Sequence, residues 1–259
     1  MKTTDNITLQ KNRIKEQTNS FYHSIQIFEE VSSTNTYLKN QTDKQEGMVV
    51  ISNRQSEGRG RGTHSFSSKK DVGVYLSILL KPNCMIDDIS YFTILSAVAV
   101  HKTIQAIYQL NSSIKWINDI YLNDKKIAGI LVESVLKPNT STPEAIIIGI
   151  GVNLFKQSFD PELATIASSI EDESSLTCNR NLFISQLLNE IHRLYVLKEK
   201  SSILEYYKQH CITLNQELFI EDETLLVIDI NEQGHLITQR KDSSIKILTT
   251  QSIPYKNPQ

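Results

Sequence analysis

The run Gln55-Ser56-Glu57-Gly58-Arg59-Gly60-Arg61-Gly62 puts two permanent cations on a backbone nearly free of side chains. Its glycines let the loop take positive φ and come close to a ligand, and the forked guanidinium groups of Arg59 and Arg61 match the oxygens of a phosphate or carboxylate. The chemistry this predicts is the handling of an anion, a phosphate or acyl phosphate foremost. Arginine-glycine runs also occur in disordered RNA-binding segments, so the loop by itself leaves two readings. A second cluster, Lys115-Trp116-Ile117-Asn118-Asp119, gathers an ammonium, an amide and a carboxylate at the end of a strand-like stretch. Asn123-Asp124 is a turn sequence, and a hairpin there would return Lys126 toward that cluster. The alternative is a solvated surface lysine beside Lys125. Gly129, inside an apolar run, implies a bulge or the close approach of a ligand. Gly149-Ile150-Gly151-Val152-Asn153 is either a strand bulge or a place where a flat heterocycle lies on bare backbone. Leu154 stands where a dinucleotide fingerprint needs its third glycine, and no G-x-x-x-x-G-K-[ST] run occurs, so Rossmann and P-loop readings are excluded. Ser32-Ser33-Thr34-Asn35 reads first as a helix cap, with hydroxyls and an amide that could also serve a ligand.

Strands and helices must hold these groups. The Gly-Arg run sits between two stretches rich in β-branched and apolar residues, Gly47 to Ser52 and Val72 to Leu80, which makes it a loop inside a fold and not a tail. Ser24 to Glu29 reads as a strand, followed by a short helix through Leu38. A helical face recurs from Tyr91 to Ile107, with its start near Asp87, Asp88 or Ser90 and its end near Asn111. Ile114 to Trp116, Ile120 to Leu122, Ile127 to Val135 and Ala145 to Leu154 read as strands, with an exposed loop over Lys137 to Pro143. Leu182 to Leu197 and Ile203 to His210 carry helical stripes. Beyond Cys211, short strands at Leu218 to Ile220, Leu225 to Ile230, Leu236 to Gln239 and Ile245 to Leu248 predict a small β-barrel. The division expected is an N-terminal arm over 1–23, mobile or a short helix, a main domain over 24–210, and the barrel over 211–259.

With 27 basic and 29 acidic residues among 259, the net charge is −2, without the basic excess of a nucleic-acid binder. Any positive field must be local. Cys84, Cys178 and Cys211 lie far apart with no C-x-x-C pair, which fits a reduced cytoplasm. The N-terminus has no apolar h-region and no run of about eighteen apolar residues occurs, so the expectation is a cytoplasmic protein that does not span a membrane.

Taken in order, Ser33-Thr34-Asn35, Gln55 with GRGRG, KWIND, KKIAGILVE from Lys125 to Glu133, and GIGVN resemble the motifs of the biotin protein ligases. The resemblance spans about Ser24 to Leu154 and continues more weakly beyond. It implies an α+β fold, in which a central mixed β-sheet with helices on one face forms a biotin/lipoate ligase-like catalytic domain ahead of a small SH3-like β-barrel. It also implies a two-step reaction. The biotin carboxylate attacks the α-phosphorus of ATP and releases pyrophosphate, and a lysine of a biotin carboxyl carrier protein domain of acetyl-CoA carboxylase then takes biotin from biotinyl-5′-AMP. In the first step both reactants are anionic. At ~4 Å and an effective dielectric near 20 each unit-charge pair is worth roughly 4 kcal/mol, so a few placed cations with Mg²⁺ change the barrier substantially.

By the same resemblance, Arg61 and Lys126 are the catalytic cations. Ser33, Thr34, Asn35, Gln55, Arg59, Gly60, Arg61, Lys126 and Gly129 hold biotin. Arg61, Lys115, Trp116, Asn118, Asp119, Lys126 and Asn153 serve ATP and the adenylate, and Asp119 serves the metal. Two positions depart from the pattern. Ile117 stands where the family usually has proline, and Gly62-Thr63-His64-Ser65-Phe66 replaces a more basic and aromatic continuation, which predicts altered ATP affinity. About thirty residues precede Ser33, too few for the helix-turn-helix that makes some relatives repressors, so a monofunctional ligase without DNA binding is expected. Homodimers are known in the family, but no interface is legible here. The competing readings are a lipoate or octanoate ligase, which shares the architecture, and a non-catalytic RNA-binding protein using the Gly-Arg loop.

Overall fold

The structure, a computed structural model, describes residues 4–249 apart from 138, 139, 141, 198 and 221, with the backbone alone at Asp87. The opening three residues, the end of the expected barrel beyond 249 and part of the loop expected over 137–143 lie outside the described residues.

In chain order the elements are α1 (Thr4–Ile7), α2 (Lys11–Glu16), β1 (Ser24–Val31), α3 (Thr34–Lys39), β2 (Met48–Gln55), β3 (Gly73–Leu80), a 3-10 turn at Ile86–Asp88 and α4 (Ile89–Tyr108). There follow β4 (Ser113–Lys115), β5 (Asp119–Leu122), β6 (Lys125–Leu136), β7 (Pro143–Asn153), α5 (Pro161–Ala164), α6 (Ile170–Ser174), α7 (Arg180–Leu197) and α8 (Lys200–Gln209). The chain ends in β8 (Glu217–Ile220), β9 (Glu223–Ile230), β10 (Leu236–Gln239) and β11 (Ile245–Leu248). The first seven strands make one sheet in the order β1-β2-β3-β7-β6-β5-β4, mixed because β1 and β2 alone run parallel. The last four make a separate antiparallel sheet. The α+β class with a small C-terminal β-unit is thus the fold adopted.

Strand alternation decides which face is which. Val49 and Ile51 of β2, Leu76 and Ile78 of β3, Ile148 and Ile150 of β7 and Ala128 and Ile130 of β6 point into the main core, against α4 and α7. α4 is buried nearly all round because it packs on the sheet, α7 and α8 at once. The residues of opposite parity, Ser77, Gly149, Gly151, Gly129, Leu131 and Glu133, lie on the other face. There α3 packs, setting Leu38 on Val50, Leu79 and Ile147. One face of the sheet therefore carries the helical core, and the other, floored with glycine, is left for a site.

From Thr4 on, the N-terminal arm takes the short-helix form, the second of its two expected forms, and is docked. Ile14 is fully buried, Gln10 N–H donates to Asn181 Oδ1 at 2.9 Å, and Asn181 Nδ2 donates to the Thr8 carbonyl at 2.8 Å. The second sheet is fastened to the first by Trp116. Its indole N–H donates to the Gly234 carbonyl at 2.8 Å, and its backbone N–H to Thr213 Oγ1 at 3.0 Å.

Candidate functional site

The loop between β2 and β3 folds back on itself as an irregular hairpin. Gly60 N–H donates to the His64 carbonyl, Phe66 N–H donates to the Gly58 carbonyl, and Arg59 pairs with Ser65. Gly62, at φ 58°, makes the turn at its tip. This hairpin forms one wall of a cavity of about 530 Å³ over the glycine floor. Phe66 lies on that floor. A Cβ at Gly151 would stand 2.5 Å from its ring, so that position admits hydrogen alone while the ring is there, and one at Gly129 would stand 3.3 Å away, so there the ring would have to give by a few tenths of an ångström. The flat ring against bare backbone, one of two readings of the GIGVN run, is in this structure the chain's own side chain.

At the α3 end the cavity is lined by neutral polar groups that hold one another. Ser33 caps α3, its hydroxyl accepting from Thr36 N–H. Thr34 N–H donates to Gln55 Oε1 at 2.8 Å, and Gln55 Nε2 donates to Ser68 Oγ at 2.8 Å. The Ser77 hydroxyl, fully buried in β3, lies 2.6 Å from Asn35 Oδ1 and 2.7 Å from Thr34 Oγ1. With one proton it serves Asn35, whose oxygen only accepts, and Thr34 shares its own proton between Ser77 and Gln55. Asn35 Nδ2 is taken up by the Leu131 carbonyl and Glu133. The amide of Asn35 is thereby committed within the protein, and the Ser33 and Thr34 hydroxyls are the better placed to meet a ligand.

At the other end are the charges. Arg59, Arg61, Lys115 and Lys126 and one carboxylate, Asp119, line it, and with Arg59 paired to Glu133 the remaining three cations still outnumber Asp119, so a chain of net charge −2 carries a locally positive cavity. Arg61 and Lys126 share it. Asn123 and Asp124, both at positive φ, make the tight turn from β5 to β6 that carries Lys126 back, its Nζ 2.7 Å from Asp119 Oδ1. Asn118 Nδ2 donates to the Ile130 carbonyl, which turns its Oδ1 toward Arg61, 3.5 Å away. Burial lowers the Arg61 guanidinium below its ordinary value, with Asp119 opposing. Lys115 is likewise lowered by burial, with Asp119 opposing the shift and Lys126 adding to it. Trp116 lines the cavity with its ring alone, since its N–H is engaged by Gly234.

Asn153 lies apart from this group, in the wall of an adjoining space of about 610 Å³ that shares Gln55, His64, Phe66 and Lys126 with the first. Its Nδ2 is held by the Ser168 carbonyl and its Oδ1 is buried with no hydrogen-bond partner among the described residues. Four contributors went unread in the sequence: Ser77, Ser68, Phe66 and Glu133. Strand parity on β6 was the available signal for Glu133, and a hydroxyl inside the apolar run of β3 the signal for Ser77; Phe66 and Ser68 had none beyond nearness to the loop. Among the described residues no cluster of three or more metal-ligating side chains occurs, no helix is long and apolar enough to cross a membrane, and the three cysteines are free.

A model of the biotin/lipoate A/B protein ligase family matches residues 27–153. Among curated relatives, the bifunctional ligase/repressor BirA of Bacillus spizizenii is 31% identical over 206 residues, covering 72% of this chain and 63% of its own. The biotin–[acetyl-CoA-carboxylase] ligase of Mycobacterium tuberculosis is 24% identical, covering 74% of this chain and 73% of its own. The chain thus spans a little under two thirds of the Bacillus relative. Among solved structures, biotin protein ligase from Aquifex aeolicus in complex with biotin and ATP superposes with a TM-score of 0.73 at 23% identity, over 88% of this chain and 96% of that one, which shows a shared fold. The matched stretch runs from within β1 to the end of β7 and includes most of the residues that line the cavity, so residues 27–153 of this chain form a domain similar to those of the biotin/lipoate A/B protein ligase family.

Proposed function

We propose that this protein activates biotin with ATP and transfers it to a lysine of a biotin carboxyl carrier domain. The observation that carries the reading is the polarity of the cavity over the glycine floor: a neutral hydrogen-bonding end at α3 and a cationic end at Arg61, Lys115 and Lys126. A neutral urea suits the first end, because hydroxyl and amide groups match its carbonyl and N–H groups without burying an uncompensated charge. An acid carboxylate and a phosphate suit the second.

Ser33 and Thr34 would meet the ureido ring, with Gln55 and Asn35 orienting them, and Gly60 on the hairpin that Arg59 anchors, with the floor at Gly129, would enclose the bicycle and chain. Arg61 and Lys126 would bring the carboxylate oxygen against the α-phosphorus. The O–P bond forms as the bond to pyrophosphate breaks, and charge on the transferring group is stabilised by cations already in place. Lys115, Trp116, Asn118 and, from the adjoining space, Asn153 would hold the nucleotide, whose base has room beyond Phe66. In the second step a lysine amine attacks the acyl carbon, AMP leaves, and the amine loses its proton.

Mg²⁺ is held by one or two carboxylates together with substrate phosphates, and Asp119, the one carboxylate among the residues lining the cavity, with its Oδ1 paired to Lys126 Nζ, would be the group to hold it. The ion would neutralise phosphate charge there. The direct test is intact-mass analysis of a biotin carboxyl carrier domain after incubation with the protein, ATP and biotin. A gain of one biotinyl group is expected. No gain with biotin but one with lipoate would assign the chain to the other branch of the family.

A further inference from the structure

We propose that Glu133 is a positioning residue that fastens the Gly-Arg hairpin over the cavity, and that Arg59 serves as the strap's buckle and not as a ligand contact. Glu133 follows Gly129 and Leu131 on the cavity side of β6, opposite Ile147 of β7. Its side chain is 15% exposed and takes three partners. Arg59 NH1 lies 3.1 Å from Oε1 and 3.3 Å from Oε2, Asn35 Nδ2 lies 2.9 Å from Oε2, and Lys39 Nζ lies 3.7 Å from Oε1.

The two arginines of one short hairpin therefore point to different anchors. Arg61 reaches Asn118 over 3.5 Å, a contact at the limit of a hydrogen bond, whereas Arg59 makes a charge-assisted pair with a carboxylate rooted in the central sheet. Phe66 on Gly129 and Gly151 is a further hold, and the base of the hairpin is tied by Ser56 N–H to the Val31 carbonyl and Glu57 N–H to the Ser32 carbonyl. Glu133 thus does two things at once. It orients the amide of Asn35 at the neutral end, and it draws Arg59 aside so that Arg61, Lys115 and Lys126 remain to face an anion.

The inference about the loop is readable without any activity. Trypsin cleaves after Arg61, which lies at the hairpin tip. In the ligand-free protein Glu133→Gln, which keeps shape and an oxygen for Asn35, should speed cleavage after Arg61 about two- to fivefold, the range expected for an ion pair with one half-exposed partner. Arg59→Gln should do the same, and the double variant should cleave no faster than either single one. Cleavage of both single variants at the wild-type rate, or rates that multiply in the double variant, would overturn the proposal. If Glu133→Gln does not fold, Arg59→Gln alone decides it by the same reading.

A second arm rests on the proposed reaction: in Glu133→Gln the KM for biotin should rise about as much as cleavage does, and AMP released without any carrier should rise relative to pyrophosphate exchange, because a looser strap lets water reach the adenylate. A fall in kcat with both of these unchanged would also count against the strap. Absence of biotin-dependent exchange in the wild-type protein would defeat the proposed function and leave the cleavage result standing.

Discussion

Replacing Gly151 with alanine isolates the floor of the cavity from every charged group around it. A Cβ at this position stands 2.5, 2.7 and 2.9 Å from three carbons of the Phe66 ring. Carbon atoms in contact prefer 3.5–4.0 Å, so the ring must retreat by about 1 Å. Backbone cost does not enter, since Gly151 is not at positive φ, and alanine in a strand is favoured over glycine by roughly 0.5–1 kcal/mol. Stability should therefore stay near neutral, with the melting temperature within about 3 °C of wild type. Ligand should feel the change, because the methyl group occupies the floor and the hairpin carrying Arg61 moves with Phe66. A displacement of this size at a reacting centre costs up to about 100-fold, so kcat/KM for biotin in ATP–pyrophosphate exchange should fall between about 10- and 100-fold. A folded Gly151→Ala protein with kcat/KM within about twofold of wild type would show that the glycine floor has no part in the site.

Three further outcomes follow from the same geometry. Lys126→Gln should lower kcat by about 10²–10³ with a small change in stability, measured by single-turnover formation of the adenylate. Ser77→Ala leaves Asn35 Oδ1 without its donor in a buried setting and should cost about 1–3 kcal/mol in urea unfolding while raising the KM for biotin more than that for ATP. His101, packed against His210 and Lys102 with Nδ1 3.0 Å from Ser112 Oγ, is pushed down to about 4, by burial first and then by those two neighbours. The unfolded chain takes up this proton near pH 6.5 and the folded one only near 4, so the stability tied to neutral His101 is complete above about 6.5 and is lost as the pH falls toward 4. That loss should total about 3 kcal/mol, and the slope of unfolding free energy against pH in this window should be shallower in His101→Leu. Equal slopes would rule the assignment out.

The chemistry of the site was legible where a residue type has few other uses. Arginines between glycines, a lysine two residues past an Asn-Asp turn, and glycines inside an apolar strand each restrict the backbone or the charge enough to be read in one dimension. Strand parity would have added Glu133, which lies in phase with Gly129, and Ser77 was marked by being a hydroxyl inside the apolar run of β3. Phe66 offered no such signal: an aromatic residue beside a loop normally enters a core, and only the pairing of β6 with β7 puts two glycines beneath it. The docking of the arm was hidden for another reason. Its partners, Asn181 and Asn189, lie about 170 residues away, and no local pattern reports a contact at that distance. The short helices α5 and α6 went unread because four or five residues carry too little periodicity to be seen.

Incorporation of labelled pyrophosphate into ATP by the purified protein, with and without biotin, reports on the two cations and the neutral polar wall together. Exchange that requires biotin, is not supported by lipoate at equal concentration, and drops at least about 100-fold in Arg61→Gln is the result this cavity predicts. Exchange that proceeds equally well without biotin, or is untouched by loss of the Arg61 guanidinium, would contradict it.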